Sequence, residues 1–331
     1  MQTTGWTFGR TRHAAVRLLA ALALAVGAGA ALAQAWPAKP IRIVVGFPPG
    51  GGNDIIARLV GIKLQEALGQ PVVIENRPGA NSIIAAELAA KATPDGYTLL
   101  VNATGGMSVN PGLYAKLPYD PIRDFAPISL IGEFPIILAV HTSVPATTAA
   151  EFIAYARANP GKLRYSAAST SFQLATELFK QATGTQIEHI PYKGSTPAVN
   201  ALIAGDVQMS MVDTPQILPQ VRAGKLRGLA VATPKRLQSA PDIPTLTESA
   251  LPGFEIVLWV GLFAPAGTPQ EIISKLSAES VRIGALPDVR ERLNAMGVIP
   301  VGSTAEQLAE RLRAEIPRYT EAIRKGGIKA E

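Results

Sequence analysis

The sequence predicts an α/β fold with mainly parallel sheets, divided between two lobes. Short apolar, β-branched runs alternate with longer amphipathic runs, and Gly and Pro residues separate them. Such alternation is typical of parallel strands connected by helices. The chain has 331 residues, of which 47% are hydrophobic. This length allows a large core and favours two lobes.

The elements follow from local periodicity and from their stop signals. The predicted strands are 41–45, 72–74, 97–101, 136–140, 163–166, 207–212, 229–232 and 255–263. The predicted helices are 55–68, 83–92, 149–158, 172–183, 197–204, 215–223, 269–284, 288–296 and 305–325.

Two long β-rich stretches, 134–140 and 255–263, are placed where the chain could cross between lobes. We therefore predict lobe 1 from residues 34–138 plus 259–331, and lobe 2 from residues 139–258. Two crossings would form a hinge. Ligands of open α/β sheets bind beyond the carboxyl ends of strands, so a cleft between the lobes is the expected site.

The N-terminus resembles a secretory signal peptide. Three Arg residues precede an apolar run, 18–32, that ends in the small-residue sequence Ala31-Leu-Ala33. The run is too short to be a membrane span. We expect cleavage after Ala33 and a periplasmic location. Removing residues 1–33, which contain three Arg and no acid, would lower the formal charge from +6 to +3.

Composition excludes several classes of function. The sequence has no Cys, so thiol catalysis and Cys metal sites are excluded, and stability must come from the core. No Lys/Arg stripe with interleaved aromatic residues suggests nucleic-acid binding. No carboxylate–His cluster suggests a metal. We expect no cofactor, no metal and no nucleic acid, and a monomer.

The most informative segment is a glycine loop, 46–52, between the strand at 41–45 and a helix opened by Asn53 and Asp54. The first turn of a helix has unpaired N–H groups and partial positive charge, so this loop favours an anion. A Walker loop would need a terminal Gly-Lys-Ser/Thr, and a dinucleotide loop would need a third Gly where Ile55 stands. The alternative interpretation is an ordinary βα connection.

Three further loops follow predicted strands and are expected in the same cleft. They are 75–82 with Asn76 and Ala80, 102–107 with Thr104, and 165–173 with Ser166, Ala168, Ser169 and Thr170. Helix capping by Ser and Thr is the alternative for any single residue. Their recurrence, with few charged groups, favours a cleft of neutral donors.

An enzyme is the rival class. Only His141 and His189 remain after removal of the signal, and each lies in a strand-like context. The motifs G-x-S-x-G, S-x-x-K and H-E-x-x-H are all missing from the sequence. We therefore predict no catalytic residues and consider a secreted hydrolase the weaker alternative.

The ordered motifs resemble the substrate-binding proteins of tripartite tricarboxylate transporters, the Bug/TctC family. The matching segments cover the mature chain: 36–51, 75–80, 94–100, 189–195, 204–208, 221–227, 242–245 and 262–269. The resemblance implies a two-lobe, type II-like periplasmic binding protein. Such a protein captures a small carboxylate and delivers it to membrane permease subunits. A sensor that signals to a membrane partner is the alternative.

The resemblance also implies individual site residues. The first loop, through Phe47, Pro48, Gly50, Gly51 and Asp54, would hold a carboxylate by backbone amides and water. The remaining ligand-binding residues that we predict are Asn53, Asn76, Ala80, Thr104, Ser166, Ala168, Ser169, Thr170, Thr196 and Asp213, with Ser195 beside them.

Four residues near the cleft have alternative roles. Asp54 is expected to cap the helix, with a contact to a ligand amine as the alternative. Gln173 stands where the family commonly has His, so it could bond the distal end of the ligand. Arg77 is expected to be solvated or to pair locally. Trp259 is expected in the core, with a cleft wall as the alternative.

Overall fold

The computed structural model describes residues 36–329, and the predicted signal segment 1–33 lies outside this range. Residues from Lys39 onward form one compact unit. The ten strands among the described residues are β1 (Ile41–Val45), β2 (Val72–Asn76), β3 (Thr98–Ala103), β4 (Phe125–His141), β5 (Leu163–Ala167), β6 (Ile187–Pro191), β7 (Met209–Asp213), β8 (Leu226–Val231), β9 (Val257–Pro265) and β10 (Ile299–Pro300).

The helices surround these strands and mostly follow them in the chain. They are α1 (Gly52–Leu68), α2 (Ile83–Ala90), α3 (Asn110–Leu113), α4 (Ala149–Ala158), α5 (Thr170–Thr183), α6 (Ser195–Ala204), α7 (Thr214–Arg222), α8 (Leu246–Ser249), α9 (Gln270–Ala285), α10 (Pro287–Ala295) and α11 (Ala305–Gly326). A 3₁₀ turn (Ala80–Ser82) precedes α2, and a π-helical turn (Gly105–Val109) precedes α3.

The sheet is mixed, in the order β2-β1-β3-β9-β4-β7-β5-β6, with β8 and β10 also paired to β4. The predicted parallel pairing is present in β2-β1-β3 and in β6-β5-β7. Every pairing of β4 and β9 is antiparallel. These two long strands therefore separate two parallel groups.

Strand β4 joins two parts of the sheet. Its residues 125–135 pair with β9 and β10, and its residues 136–141 pair with β7 and β8. We call β1, β2, β3, β9, β10 and residues 125–135 half-sheet 1, and β5 to β8 with residues 136–141 half-sheet 2. The chain passes to half-sheet 2 within β4 and returns between β8 and β9.

Buried apolar side chains fill the space between half-sheet 1 and its helices. Trp259 and Phe263 of β9 are fully buried there and pack against Leu308 and Leu312 of α11. A second cluster places Leu174 of α5 against the end of α11. The C-terminal helix therefore contacts an element of each half of the molecule.

Helix boundaries follow ordinary capping chemistry. Thr148 accepts a hydrogen bond from the amide of Glu151, and Glu151 accepts one from the amide of Thr148, so α4 begins with a capping box. Helix α1 ends at Leu68, and the C-cap residue Gly69 has the left-handed conformation (φ 68°) that Gly adopts readily.

Candidate functional site

A cavity of about 230 Å³ lies where strands of both half-sheets end. Its lining consists of Phe47, Pro48, Pro49, Gly51, Gly52, Asn53, Ala103, Phe134, Ala168, Ser169, Ser171, Phe172, Lys193, Gly194, Ser195, Thr196, Pro197, Asp213, Leu258 and Trp259. Only Lys193 and Asp213 of these described side chains are ionisable. The cavity therefore depends on neutral groups for most of its polar contacts.

Three helices begin at the cavity. Gly51 is the N-cap of α1, Ser169 that of α5 and Gly194 that of α6, and none of these residues uses its side chain to cap its helix. The first backbone bond of α1 runs from the amide of Ile55 to the carbonyl of Gly51. The amides of the first turn, which come before Ile55, make no such bond and are thus available to an anion.

Asp54 shapes the glycine loop from within the protein. Its Oδ2 accepts hydrogen bonds from the amide of Gly50 (2.9 Å) and from Arg58 Nε (3.0 Å). Its Oδ1 accepts one from Asn76 Nδ2 (2.8 Å), and the same Nδ2 donates to the carbonyl of Phe47 (3.0 Å). Asp54 lies in the first turn of α1, and its carboxylate bonds to the amide of Gly50, which directly precedes the N-cap residue Gly51.

Burial raises the pKa of Asp54, but the hydrogen bonds from Arg58, Gly50 and Asn76 outweigh burial and leave that pKa below its usual value. The carboxylate therefore stays ionised and fully engaged. The Gly50 amide donates to Asp54, and Gly50 does not line the cavity.

Asp213 ends β7 and reaches the cavity from half-sheet 2. Its side chain is 3% exposed, and its Oδ1 accepts a hydrogen bond from Ser195 Oγ at 2.8 Å. A Cβ atom placed on Gly52 would lie 2.7 Å from Asp213 Oδ2, so this carboxylate stands against the first residue of α1. Burial raises the pKa of Asp213 to about 6, and the Ser195 hydrogen bond opposes that rise.

Contacts from the two halves of the molecule meet around the cavity. Gln216 Nε2 donates to the carbonyl of Gly50 at 3.1 Å. Thr170 Oγ1 donates to Asn110 Oδ1 at 2.9 Å. A Cβ on Gly105 would lie 2.7 Å from Ser171 Oγ, so the turn after β3 needs a residue without a side chain. These contacts join elements of the two half-sheets.

Eight of the predicted residues line the cavity, and they come from both half-sheets. These eight are Phe47, Pro48, Gly51, Asn53, Ala168, Ser169, Thr196 and Asp213. Seven others do not line it: Gly50, Asp54, Asn76, Ala80, Thr104, Ser166 and Thr170.

Several of the predicted residues that do not line the cavity have partners inside the protein. Thr104 Oγ1 accepts from the amide of Trp259 at 2.8 Å, and Ser166 Oγ donates to the carbonyl of Ala198 at 3.1 Å. Ala80 lies exposed in the 3₁₀ turn. These side chains position the cavity walls, and sequence alone does not distinguish such a role from direct contact.

The alternatives left open by the sequence are now resolved. Trp259 is fully buried and also lines the cavity, and its Nε1 donates to Glu315 Oε2 at 2.7 Å. Arg77 pairs with Glu75, which confirms local pairing. Gln173 Nε2 donates to the carbonyl of Lys329 at 3.1 Å and does not line the main cavity.

Sequence reasoning missed two aromatic residues of the cavity wall. Phe134 and Phe172 line the cavity beside Trp259. The hydrophobic run around Phe134 and the helix start at Phe172 were visible in the sequence. Nothing in a single sequence showed which of their faces meets a cavity.

Neither a metal-binding cluster nor a membrane-spanning helix is found in the part of the chain that the structure describes. Within residues 36–329, no three His, Cys, Asp or Glu side chains come together as a metal site. Over the same residues, no helix has the length and apolarity needed to cross a membrane.

A cavity enclosed by two halves of an α/β molecule, at the ends of strands and the starts of helices, defines a solute-binding protein. A family model described as the tripartite tricarboxylate transporter family receptor (TctC) matches residues 56–328. The chain therefore belongs to the TctC family, which is a family of solute-binding receptors and not of enzymes.

Relatives extend over nearly the whole chain. A UPF0065 protein encoded in the tcbD-tcbE intergenic region of Pseudomonas sp. (strain P51) is 39% identical and covers 93% of each chain. Protein BugT of Bordetella pertussis is 36% identical and covers 95% of this chain and 98% of its own. These matches confirm the Bug/TctC resemblance.

Solved structures share the fold. Rpa4515 of R. palustris, solved with adipate, is 36% identical with a TM-score of 0.86, over 89% of this chain and 99% of that one. MatC from Rhodopseudomonas palustris, with bound malate, is 33% identical with a TM-score of 0.82, over 87% of this chain and 100% of that one. The α/β periplasmic binding protein fold is thereby confirmed.

Proposed function

We propose that this protein captures a small organic carboxylate in the cavity and delivers it to the membrane permease subunits of a tripartite tricarboxylate transporter. The observation that carries the proposal is the meeting of three helix N-termini, those of α1, α5 and α6, at one cavity. Each N-terminus has partial positive charge and unpaired amides, so together they favour an anion.

The strength of binding follows from the kind of donor. A helix N-terminus stabilises a negative charge by about 0.3–1 kcal/mol at an exposed site and by up to ~2 kcal/mol when partly buried. Lys193 is the one cation in the lining, and its side chain belongs to an exposed residue. Neutral donors should therefore give moderate affinity, which allows release to the transporter.

The size and walls of the cavity limit the ligand. Its volume of about 230 Å³ is below the range of roughly 300–1,000 Å³ that drug-sized ligands occupy. Phe134, Phe172 and Trp259 offer apolar surface to a short carbon chain. A small acid with an apolar body fits these walls.

The proposed contact residues are the eight predicted ones in the lining, together with Gly52 and Ser195. Because they come from both half-sheets, the ligand would bind the closed form more tightly than an open one and so favour closure. We propose that the predicted lobes, 34–138 plus 259–331 and 139–258, move about β4 and the return to β9.

The proposed location is the periplasm, after removal of residues 1–33. Relatives include a solved protein described as periplasmic, BugD, which is 31% identical with a TM-score of 0.84. Intact-mass measurement of protein released from the periplasm should give a chain that begins at Gln34. A full-length mass would contradict cleavage.

A thermal-shift screen tests carboxylate capture. Small mono- and dicarboxylic acids are compared with their neutral amides at one pH and ionic strength. Because a ligand that binds only the native state raises the melting temperature, the acids that fit should raise it and their amides should not. An equal rise with acid and amide would contradict the anion site.

Delivery is tested separately with the acid that gives the largest rise. Vesicles that contain the permease subunits should accumulate the labelled acid only when the protein is added. Accumulation at the same rate without the protein would contradict a receptor role.

A further inference from the structure

The end of the chain packs against α5, the helix that begins at the cavity. Helix α11 is anchored to half-sheet 1 through Leu308 and Leu312, which pack in one cluster with Trp259 and Phe263 of β9. Its last turns continue beyond that core and reach α5. One continuous helix therefore links the core of half-sheet 1 to a helix that follows β5 of half-sheet 2.

The sequence ends α11 with a turn that brings the next residues back onto the helix. Gly327 has the left-handed conformation (φ 60°), and its amide donates to the carbonyl of Arg324 at 3.4 Å. The amide of Ile328 donates to the carbonyl of Ile323 at 3.1 Å. This is the Schellman pattern, which favours Gly at the turn and an apolar contact between the two residues that the longer bond joins. Ile323 and Ile328 indeed lie in one apolar cluster.

The C-terminal segment, which we define as residues 319–329, covers one face of α5. Leu174 and Leu178 are four residues apart, so they lie on the same side of α5. Both pack into the apolar cluster that contains Ile323 and Ile328. The apolar face of α5 is therefore buried partly by the end of the chain.

Two further contacts extend this interface along α5. Gln173 is 7% exposed, and its Nε2 donates to the carbonyl of Lys329 at 3.1 Å. Near the other end of the helix, Gly326 lies so close to Gln181 that a Cβ atom on the glycine would overlap the side-chain amide. The C-terminal segment thus contacts α5 from its first turn to its last.

The first turn of α5 also forms part of the cavity wall. Ser169 is the N-cap residue of α5, and it lines the cavity together with Ser171 and Phe172. Gln173 follows directly and donates to Lys329. Because a helix behaves largely as one rigid element, contacts along its face also fix where its first turn lies.

We infer that the C-terminal segment positions the start of α5 for ligand binding, with Gln173 and Ile328 as positioning residues. The part of this inference that concerns affinity rests on the proposed function, because it assumes that a ligand occupies the cavity. The contacts with α11 order α5 before the ligand arrives, so binding energy is not spent on ordering it. Without them, only a fraction of the molecules would present α5 correctly, and the apparent affinity would fall by that fraction.

Hydrogen exchange in the ligand-free protein tests the positioning. A double variant combines Gln173→Ala, which removes the hydrogen bond to Lys329, with Ile328→Ser, which removes an apolar side chain from the cluster. Amides in residues 173–179 should exchange roughly tenfold faster than in the wild-type protein, as expected for loss of one hydrogen bond and one apolar contact. Amides of α9, which serves as the reference for overall stability, should exchange at the wild-type rate.

Calorimetry tests the consequence for binding. The acid that gives the largest rise in the thermal-shift screen should bind the double variant roughly tenfold more weakly than the wild-type protein. Ile328→Ser alone should cause a smaller loss. Ile122→Ser is the matched control, because it makes the same chemical change at a side chain that is 45% exposed and is not part of the cluster. It should leave both the affinity and the exchange of α5 unchanged.

The outcomes separate this inference from the proposed function. Faster exchange confined to α5, together with weaker binding, supports the inference. Wild-type exchange of α5 in the double variant overturns it and leaves carboxylate capture standing. Equally faster exchange of α5 and α9 overturns it as well, because the variant has then lost only overall stability. Faster exchange of α5 with unchanged affinity overturns the role in binding.

The exchange measurement needs no ligand. If no acid binds the wild-type protein, the proposed function fails, and the exchange of α5 still decides whether the C-terminal segment positions that helix.

Discussion

Asp54 and Asp213 are both nearly buried, yet their environments differ. Asp54 accepts hydrogen bonds from Gly50, Arg58 and Asn76, and its pKa lies below the usual value. Asp213 accepts one side-chain hydrogen bond, and burial raises its pKa to about 6. The first carboxylate organises the loop, and the second faces the cavity.

The raised pKa of Asp213 predicts a pH dependence of stability in the ligand-free protein. The unfolded carboxyl titrates near 3.8 and the folded one near 6, so the unfolded state loses its proton first as the pH rises. The stability contributed by the protonated group is complete below about pH 4 and is lost as the pH rises through 6. A shift of this size corresponds to roughly 3 kcal/mol.

Urea unfolding at several pH values measures this loss of stability. The wild-type protein is compared with the Asp213→Asn variant, in which the side chain at position 213 cannot titrate. The variant should gain stability relative to the wild-type protein between about pH 4 and pH 6.5. The other charged groups near the site are Lys193 in the lining and the ion pair of Asp54 with Arg58 on α1. A difference that does not change with pH would show that Asp213 titrates normally.

Prediction from sequence was strongest for residues next to the glycine loop. Phe47, Pro48, Gly51 and Asn53 line the cavity because the strand–loop–helix geometry is local. Thr104 does not line the cavity, and its partner, the backbone of Trp259, is 155 residues away in the sequence. One sequence contains no signal for such a pairing.

At the scale of the element, the start of α1 is the feature on which the cavity depends. A methyl group on Gly52 would lie 2.7 Å from Asp213 Oδ2 and 2.9 Å from Phe134 Cε1. Gly52→Ala should therefore weaken binding of the best acid at least about tenfold, although Ala favours the helix more than Gly does. Isothermal calorimetry measures the change.

Gly61→Ala, in the same helix, is the matched control. Its methyl group would meet the flexible end of Ile74 at 3.0 Å, away from the cavity. Binding should stay as in the wild-type protein. If Gly52→Ala binds the acid normally, the ligand does not lie against the first turn of α1.

Helix α11 allows a test of what stabilises the protein. The buried Glu315 accepts hydrogen bonds from Trp259 Nε1 (2.7 Å), Ser108 Oγ (3.0 Å) and Arg311 Nε (2.8 Å). Glu315→Ala leaves these donors without a partner and should lower the free energy of unfolding by about 3–5 kcal/mol. Denaturant unfolding measures the loss.

Glu310→Ala is the control on the same helix, at an exposed position. It should change the free energy of unfolding by no more than about 0.5 kcal/mol. Equal stability of the two variants would mean that the Glu315 network does not hold α11 against β9.

The elements themselves were largely predictable. Strand β1 and helix α4 begin and end at the predicted residues, because a short apolar, β-branched run and helical periodicity mark them locally. The first part of β4 was missed because Pro127 and Pro135 interrupt its pattern. Strand β10 has two residues, which is too short for periodicity to show.

At the scale of the whole molecule, the mixed sheet explains why one cavity serves both halves. Parallel groups end at the cavity from either side, and β4 and β9 connect them by antiparallel pairing. Sequence alternation predicted the parallel groups, while pairing of distant strands depends on tertiary contacts. The lobe boundaries stay a prediction, to be tested by comparing open and ligand-bound forms.

Closure and capture are two aspects of the same geometry. Gln216 already donates to the carbonyl of Gly50 between the two half-sheets, and Asp213 meets Gly52 in the cavity lining. A ligand between these groups would add contacts to both sides at once. In the proposed mechanism, its binding energy would hold the closed form for delivery to the permease.

A crystal structure with the acid that binds most tightly tests the central claim most directly. We predict a carboxylate oxygen within about 2.7–3.2 Å of the amide nitrogens of Gly52 or Asn53. A ligand seated in another pocket, or one held in this cavity without any contact to the first turn of α1, would contradict the account.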